Sequence, residues 1–487
     1  MQQKTTDEEN GSGADKPGLF VPGRNCWRIE RAGRAAVLVD ACNYFLELRR
    51  TLAKAKRSIF IVGWDFDSAT RMDPRGLFGP PEETIGDVIE QAVAANPELH
   101  VYILIWNMAP LIGSSDLPTL VWGTRLDHPR IHVKLDGAHP LMASQHQKLV
   151  CVDDAIAFCG GIDITSGRWD ESSHLAVHPL RLETNGEPYG PVHDLQFAVD
   201  GDAAAAIAEI VRDRWEQAAG DPALPLAVGP DRWPADLPPN WLDVDVAIAR
   251  TYPPLGERLA VREAEALNVD ALKSAQRLVY LEAQYFSAEY VVDLLCEHLE
   301  RPNGPEVIVV ATRESHGWIE DVVMSRNRDR LISRLKRADK FNRFRAFFAM
   351  GPGDPPREIV IHSKVVIVDD QFLRVGSSNM NNRSRGLDTE CDLAIEASGA
   401  AVAEAITGLR DRLLAEHVGA PPELFAAEAA RLGSVAAALD SLNGGPRRLC
   451  PFEVEEDEVS PELLPGSSLL DPDEPISLDY LWRAVAG

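Results

Sequence analysis

The sequence predicts an α/β fold of two similar lobes, each an α-β-α sandwich, related by a pseudo-twofold axis with one site at their interface. Three observations predict it. Strand-like and helix-like segments alternate, the same order of segments occurs twice, and each copy closes on a His-x-Lys hairpin, with the two histidines 216 residues apart. The 487 residues, 45% of them hydrophobic, are enough for two or three domains with large cores.

The first lobe is predicted to cover residues 19–218, after a polar N-terminal stretch, 1–18, that we expect to be disordered. Its predicted elements are a helix over 40–56, a buried strand over 58–68, a strand over 101–107, a hairpin with a tight Asp-Asp turn over 146–161, and a helix over 203–218. The Pro-rich and aperiodic stretch 219–241 predicts a linker between the lobes.

The second lobe is predicted to cover residues 242–418 and to repeat the same order of parts. Its predicted elements are a helix over 261–276, a strand over 277–286, a helix over 288–300, a strand over 306–312, a further helical region, a hairpin within 358–379 and a helix over 401–417. Residues 419–487 form a helical and acidic C-terminal tail, which we expect to be loosely held beyond about 445, with 478–485 as a docked end.

Each lobe contains one copy of a His-x-Lys-x-x-x-x-Asp motif, and a pair of small residues begins seven positions after each Asp. The residues are His146, Lys148, Asp153 and Gly160-Gly161 in the first copy, and His362, Lys364, Asp369 and Gly376-Ser377 in the second. Because alternate residues of a strand share a face, each His and Lys point together. Each Asp has the opposite parity, so we expect it to brace the site rather than touch substrate. The small pairs are expected at the floor of the pocket, where a large side chain would block an oxyanion.

Two His–Lys pairs that converge on one point suit a phosphodiester. The lysines would stabilise charge on the non-bridging oxygens, one imidazole would attack phosphorus, and the other would protonate the departing alcohol. Because the lysines supply the electrostatic stabilisation, we expect no metal and no other cofactor. The two motifs are nearly symmetric, so the sequence leaves open which histidine attacks.

Several segments around the motifs resemble the phospholipase D superfamily, specifically its phospholipase branch. The resembling runs are GGIDITSGRWD (160–170), PVHDLQFAVDGDAA (191–204), LEAQYF (281–286, with Ala283 where those enzymes have Asn) and GSSNMNNRSRGLDTE (376–390). The resemblance extends over roughly residues 35 to 418 and implies the phospholipase D fold.

The resemblance also implies roles for individual residues. His146 would be the nucleophile and His362 the general acid/base. Phosphate would be bound by Asn379, with Ser377 and Gly161 beside it, and Asp163 stands where some relatives carry a second Asn. Asp194 and Glu390 would orient the two imidazoles, although each could instead be a surface carboxylate.

The implied function is hydrolysis of the headgroup-side phosphodiester of a phospholipid through a phosphohistidine, which yields phosphatidic acid, or transfer of the phosphatidyl group to an alcohol. Three alternatives differ from it. A phosphatidyltransferase of the cardiolipin-synthase kind usually carries N-terminal membrane segments; a nuclease of this superfamily is typically a small one-motif chain with a basic surface; and a non-catalytic scaffold would be expected to lose one motif.

Charge and composition define the expected partners. The formal charge of −26 argues against nucleic acid. The N-terminus has no apolar core or cleavage site, and no apolar run approaches the ~20 residues that span a bilayer. We therefore expect a monomeric cytoplasmic protein that meets phospholipid at a membrane surface, with water or an alcohol as acceptor. The seven cysteines are expected to be reduced and mostly buried, with a Cys26–Cys42 disulfide as the alternative.

Three further features have a plain and a functional interpretation. His174, His178 and His193 are close in sequence, but their spacing fits no common metal-ligand pattern. Trp64, Asp65 and Asp67 line the pocket, or the aspartates cap a helix. The basic stretch 326–345 is a solvated helix face, or it contacts anionic lipid headgroups.

Overall fold

A computed structural model describes residues 18–108, 126–313, 318–454 and 471–475. The expected disorder of the N-terminal stretch, apart from Gly18, and the expected docked end at 478–485 lie outside these residues. Within them, the predicted order of helices and strands is present in both lobes.

The first lobe has eight strands and three helices among its described residues. They are β1 (Arg28–Val39), α1 (Ala41–Leu52), β2 (Ser58–Gly63), α2 (Ile85–Ala95), β3 (His100–Trp106), β4 (Ile131–Asp136), β5 (Leu149–Val152), β6 (Ile156–Gly160), β7 (Val192–His193), β8 (Leu195–Asp200) and α3 (Gly201–Ala219). The strand predicted over 58–68 ends early, because the Asp163 carboxylate accepts the backbone N–H groups of Trp64 and Asp65 in place of a strand partner.

The second lobe repeats this order and is followed by two helices and a strand. The elements are β9 (Trp241–Tyr252), β10 (Val261–Arg262), α4 (Glu263–Ser274), β11 (Leu278–Ala283), α5 (Glu289–Leu299), β12 (Glu306–Ala311), α6 (Trp318–Ala338), β13 (Phe344–Gly351), β14 (Arg357–Ile361), β15 (Lys364–Val368), β16 (Phe372–Gly376), α7 (Arg383–Gly386), β17 (Glu390–Glu396), α8 (Ala400–Val418), α9 (Pro422–Leu432), α10 (Val435–Leu442) and β18 (Arg448–Pro451). The tail is not loosely held at β18, because this strand pairs antiparallel with β13.

The two lobes have the same strand order. In the first, the strands pair in the order β4-β3-β2-β5-β6-β8-β1, with β2, β3 and β4 parallel. In the second, the order is β13-β12-β11-β15-β16-β17-β9, with β11, β12 and β13 parallel. An antiparallel pairing of β1 with β9 joins the two sets. The predicted duplicated α/β architecture is therefore confirmed.

The joining strands β1 and β9 were not predicted. In β1 the N-terminal half is partly exposed and rich in arginine, whereas the C-terminal half is buried and apolar. Neither a strict alternation nor a continuous apolar run covers the whole segment, and only its partners on both sides define it as a strand.

Alternation along the strands separates the cores. In β2, Phe60 and Val62 join a central cluster that includes residues of both lobes, α3 and α8. Ile59 and Ile61 point the other way, into a cluster that α1 and α2 cover. A third cluster fills the corresponding position in the second lobe beneath α4 and α5. The central cluster makes the lobes share one core.

The Pro-rich stretch before β9 contacts the first lobe. Arg232 donates Nε to the Asp153 carboxylate at 2.6 Å, and the backbone N–H of Asn240 donates to the carbonyl of Ala35 at 2.9 Å. We propose that 219–241 separates lobes at 19–218 and 242–418, with 419–487 as a C-terminal extension.

Two chemical expectations can be compared with the structure. The cysteines Cys26 and Cys42 are buried free thiols, and the other five are also unpaired. Among the described residues, no helix is both long enough and apolar enough to cross a membrane.

Candidate active site

The first motif histidine lies against the second lobe. His146 comes just before β5, and its backbone N–H donates to the carbonyl of Thr389 at 3.1 Å. This places Nδ1 of His146 2.9 Å from Oε2 and 3.1 Å from Oε1 of Glu390, the first residue of β17. A carboxylate of the second lobe therefore orients the imidazole of the first.

The second motif histidine repeats this arrangement in the opposite direction. His362 comes just before β15, and its backbone N–H donates to the carbonyl of His193 at 2.8 Å, where β14 pairs parallel with β7. Nδ1 of His362 lies 2.6 Å from Oδ2 of Asp194. Each Nδ1–H that donates to a carboxylate leaves Nε2 as the nitrogen with a free lone pair.

The two motif lysines are buried beside their histidines but have different partners. Nζ of Lys148 lies 3.1 Å from Oδ2 of Asp163 and donates to the carbonyl of His146 at 2.9 Å. Nζ of Lys364 donates to Oε1 of Gln284 at 3.1 Å and to the carbonyl of His362. The charge of one ammonium is balanced by a carboxylate, whereas the other faces a neutral amide.

The site favours neutral imidazoles. Burial, together with the charges of Lys148 and Lys364, lowers the pKa of His146 well below its usual value. Burial and the charges of Lys364 and Arg168 lower the pKa of His362 in the same direction. Burial lowers the pKa of Lys364 to about 7, against the opposing effect of the Asp194 charge. The charge of Lys364 acts on His146 and that of Lys148 acts on His362, which indicates that the two motifs lie near each other.

The small residues after the motifs contact the orienting carboxylates. A Cβ added at Gly161 would lie 2.2 Å from Oδ1 of Asp194. Ser377, at the corresponding position, donates its hydroxyl to Glu390 and accepts the backbone N–H of Cys391 at 3.0 Å. Phosphate binding by Gly161 and Ser377 stays a prediction, but their contacts place both residues beside the groups that orient the histidines.

Asn379 has an unused polar atom. The residue is 5% exposed, and within the described part of the chain its Oδ1 has no hydrogen-bond partner. Its backbone N–H donates to Oγ of Ser384 at 3.0 Å, and the same hydroxyl donates to Oε1 of Glu390 at 2.7 Å. Asn379 is thus fixed next to Glu390, the carboxylate that orients His146.

The motif aspartates lie at the hairpin turns and bind backbone. Asp153 and Asp369 have φ of 52° and 55°, a left-handed conformation that Asp tolerates better than most residues. Oδ1 of Asp153 accepts the N–H groups of Arg57 and Ser58 at 2.7 and 2.9 Å, at the start of β2. Asp369 accepts the same type of bond from the residues that precede and begin β11. Both carboxylates attach a motif hairpin to its neighbouring strand.

Sequence reasoning missed two residues at the site. The charge of Arg168 acts on His362, Asp194 and Lys364, and its Nε is buried without a hydrogen-bond partner among the described residues. Gln284 contacts Lys364 directly. Both lie inside the segments that resemble the phospholipase branch, which was the available signal.

The side chains of the 64–67 loop contact neighbouring residues of the first lobe. Oδ2 of Asp65 accepts the hydroxyl of Thr165 at 3.1 Å, and Oδ1 of Asp67 accepts the N–H of Ala69 at 2.8 Å. Trp64 packs on Trp106 with ring centroids 5.5 Å apart. The aspartates therefore stabilise loops, and the N-cap of α2 is Thr84 instead.

Only two of the three neighbouring histidines meet. His174 and His193 are fully buried between the lobes with ring centroids 5.6 Å apart. His178 lies apart from them, with Nε2 3.4 Å from Oε1 of Glu171.

The basic stretch 326–345 is engaged within the fold. Arg334 pairs with Asp293 at 2.6 Å and Arg345 with Asp440 at 2.8 Å. Arg343 donates to carbonyl groups between 298 and 304. These contacts favour a structural use of the charges over a lipid-binding one.

Comparison with known proteins agrees with this geometry. Residues 51–232 match the family described as Phospholipase D, and residues 269–411 match the family described as Cardiolipin synthase, PLD-like domain. Phospholipase D B of Dictyostelium discoideum is 26% identical over 210 residues, 37% of this chain and 17% of the relative. Phospholipase D1 of Saccharomyces cerevisiae is 22% identical over 497 residues, 80% of this chain and 29% of the relative. Phospholipase D alpha 1 of Carica papaya is 22% identical over 490 residues, 78% of this chain and 58% of the relative.

The chain thus spans less than two thirds of the length of these relatives. Among solved structures, phosphatidylserine synthase of Haemophilus influenzae Rd KW20 has the same fold, with a TM-score of 0.55 at 15% identity over 78% of this chain and 86% of that one. With one family match in each lobe and both motifs intact, the chain belongs to the phospholipase D superfamily.

Proposed function

We propose that this protein is a phospholipase D-type phosphodiesterase that cleaves the headgroup-side phosphodiester of phospholipids. One observation carries the proposal: each motif histidine is oriented by a carboxylate of the opposite lobe, His146 by Glu390 and His362 by Asp194, with a buried lysine beside each imidazole. Two histidines and two ammonium groups of this kind suit an in-line displacement at phosphorus.

In the first step, Nε2 of His146 attacks phosphorus and forms a P–N bond while the bond from phosphorus to the headgroup oxygen breaks. Nε2–H of His362 gives its proton to the departing alcohol. Burial lowers the pKa of both imidazoles and favours their neutral forms in the free protein. A bound phosphodiester adds negative charge beside His362 and favours its protonation. The assignment of His146 as nucleophile rests on the resemblance of the motifs.

In the second step, His362 accepts a proton from water or an alcohol, whose oxygen attacks phosphorus while the P–N bond breaks. Water gives phosphatidic acid, and an alcohol gives a new phosphatidyl ester. Lys148, Lys364 and Arg168 would stabilise the non-bridging oxygens, and Asn379 would donate an Nδ2–H to one of them.

Phosphatidyl transfer to an alcohol is the second candidate function. The match of the second lobe to the family described as Cardiolipin synthase, PLD-like domain, favours it. Both activities share the phosphohistidine, so the acceptor alone distinguishes them. Under either activity we propose that the protein is monomeric, because both motifs lie in one chain. We also propose that it is cytoplasmic and acts at a membrane surface, where its phospholipid substrate lies.

The test uses phosphatidylcholine vesicles with and without 1-butanol or glycerol, followed by lipid analysis, with His146→Ala as the background control. Phosphatidic acid in water supports hydrolysis, and a phosphatidyl-alcohol that replaces it supports transfer. Inactivity toward vesicles of several headgroups together with cleavage of plasmid DNA would overturn the proposal in favour of a nuclease. Inactivity toward both would favour a non-catalytic scaffold.

A further inference from the structure

A second group of buried polar side chains lies between the lobes, outside the two motifs. It contains Asp40 after β1, His174 in the loop before β7, His193 in β7 and Glu416 in α8. The first three are fully buried, and the side chain of Glu416 is 7% exposed. These residues span 376 positions of the sequence, so only the packing of the lobes brings them together.

Four of the six distances between the potential ligand atoms are close to those of a tetrahedral site, and all four atoms lie within 4.8 Å of one another. Nε2 of His174 lies 3.1 Å from Oε1 of Glu416 and 3.6 Å from Oδ1 of Asp40. Nδ1 of His193 lies 3.0 Å from the same Asp40 oxygen and 3.4 Å from the same Glu416 oxygen. Zinc bound tetrahedrally at about 2.0–2.1 Å separates its ligand atoms by roughly 3.3 Å. Two imidazole nitrogens and two carboxylate oxygens are also a ligand set that zinc accepts.

The other ring nitrogen of each histidine faces a further carboxylate. Nδ1 of His174 lies 2.8 Å from Oδ2 of Asp170, and Nε2 of His193 lies 3.2 Å from Oε2 of Glu282. Metal-binding histidines characteristically donate their second N–H to such a carboxylate, which fixes the ring and the tautomer. Asp170 is held in turn by the Arg181 guanidinium at 2.9 Å.

The charges of the group can accommodate a divalent cation, which would take the place of protons on the two imidazoles. Two guanidinium groups, Arg181 on Asp170 and Arg447 on Glu416, offset two of the four carboxylates. With neutral imidazoles, two negative charges remain in a buried region, and one divalent ion would neutralise both.

We propose that Asp40, His174, His193 and Glu416 bind one zinc ion that joins the two lobes. Four protein ligands in a buried position make a closed, structural site rather than a catalytic one. The site adjoins the second motif, because Ser363, between His362 and Lys364, donates its hydroxyl to Oε2 of Glu282 at 2.6 Å. Zinc stands against the sequence-based expectation of no metal, and the spacing of His174, His178 and His193 could not reveal ligands supplied by residues 40 and 416.

The first test measures metal in the full-length protein. The protein is purified without a metal-affinity step, exchanged into metal-free buffer and analysed for divalent metals by mass spectrometry. We expect about one equivalent of zinc per chain. Protein that is stripped with a chelator and titrated with ZnCl₂ against a chromophoric competitor should take up one equivalent again. Less than a tenth of an equivalent in both measurements, or one equivalent of a different metal, would overturn the assignment.

The second test locates the ion. His174→Ala and Asp40→Ala should each reduce bound zinc to below a tenth of an equivalent, whereas the matched control His178→Ala should retain one equivalent. Where an alanine variant does not fold by circular dichroism, Glu416→Gln, which keeps the side-chain volume, carries the comparison. Asp170→Asn should weaken zinc affinity 10- to 100-fold. Full zinc content in the ligand variants would refute the site.

Discussion

The two lobes surround their histidines with the same backbone but with different side chains. In both, the motif histidine precedes a hairpin and bonds to a strand of the opposite lobe. Yet Gly161 makes room for the short Asp194, whereas Ser377 donates to the longer Glu390. The duplicated fold gives both histidines the same geometry. The few positions at which the two lobes carry different side chains can give the two similar histidines different roles.

The lysines differ in the same way. Lys148 is paired with Asp163, whereas Lys364 contacts the amide of Gln284, and Asn379 takes the place that corresponds to Asp163. The carboxylate beside Lys148 offsets part of the field of that ammonium at the phosphate. Lys364 faces an uncharged amide instead, and its pKa of about 7 makes its charge depend on pH near neutrality.

The largest expected effect comes from removing either histidine. His146→Ala and His362→Ala should each lower kcat by on the order of 10⁴-fold, because each step needs both groups. A phosphatidyl ester of an alcohol of low pKa can distinguish the roles of the two histidines, because this alcohol departs without help from a general acid. Intact-protein mass spectrometry should then detect a phosphatidyl adduct in His362→Ala but none in His146→Ala. An adduct that maps to His362 would show that His362 is the nucleophile and would reverse the proposed assignment.

A smaller and unequal effect is expected at the two small residues. Gly161→Ala should lower kcat about 100-fold, because its Cβ displaces Asp194, the partner of His362. Ser377→Ala removes one hydrogen bond to Glu390, worth about 1 kcal/mol or roughly fivefold. Gly190→Ala is the control, since an added Cβ there meets nothing within 4 Å. Steady-state kinetics that show equal losses at Gly161 and Ser377 would contradict the proposed asymmetry.

The last expected effect is a pH dependence, which is small near neutrality and grows above it. Since the pKa of Lys364 is lowered to about 7, its ammonium is charged below that pH and neutral above it. Attraction of phosphate should therefore be lost as pH rises, and kcat/KM should fall up to tenfold per unit above pH 7. The acid limb should lie below pH 6.5, because the lowered pKa of His146 keeps the attacking imidazole neutral at that pH. Lys364→Arg, whose guanidinium stays charged, should flatten the alkaline limb; an unchanged profile in that variant would assign the limb to another group.

The motifs, the hairpins and the duplicated order of elements could be predicted from the sequence alone. These depend on local rules: alternate residues share a strand face, which pairs each His with its Lys, and Asp tolerates the left-handed turns at 153 and 369. Resemblance to related segments then indicated that Asp194 and Glu390 orient the imidazoles, but not which carboxylate contacts which histidine.

Which side chains contact one another could not be predicted in the same way, because it depends on how the two lobes pack. His146 and Glu390 are 244 positions apart, and His362 and Asp194 are 168 apart, so their contacts depend on the β1–β9 junction and the shared core. The same packing collects Asp40, His174, His193 and Glu416. Local periodicity cannot predict contacts between residues so far apart in sequence. It indicates which face of an element a residue occupies, but not which distant segment covers that face.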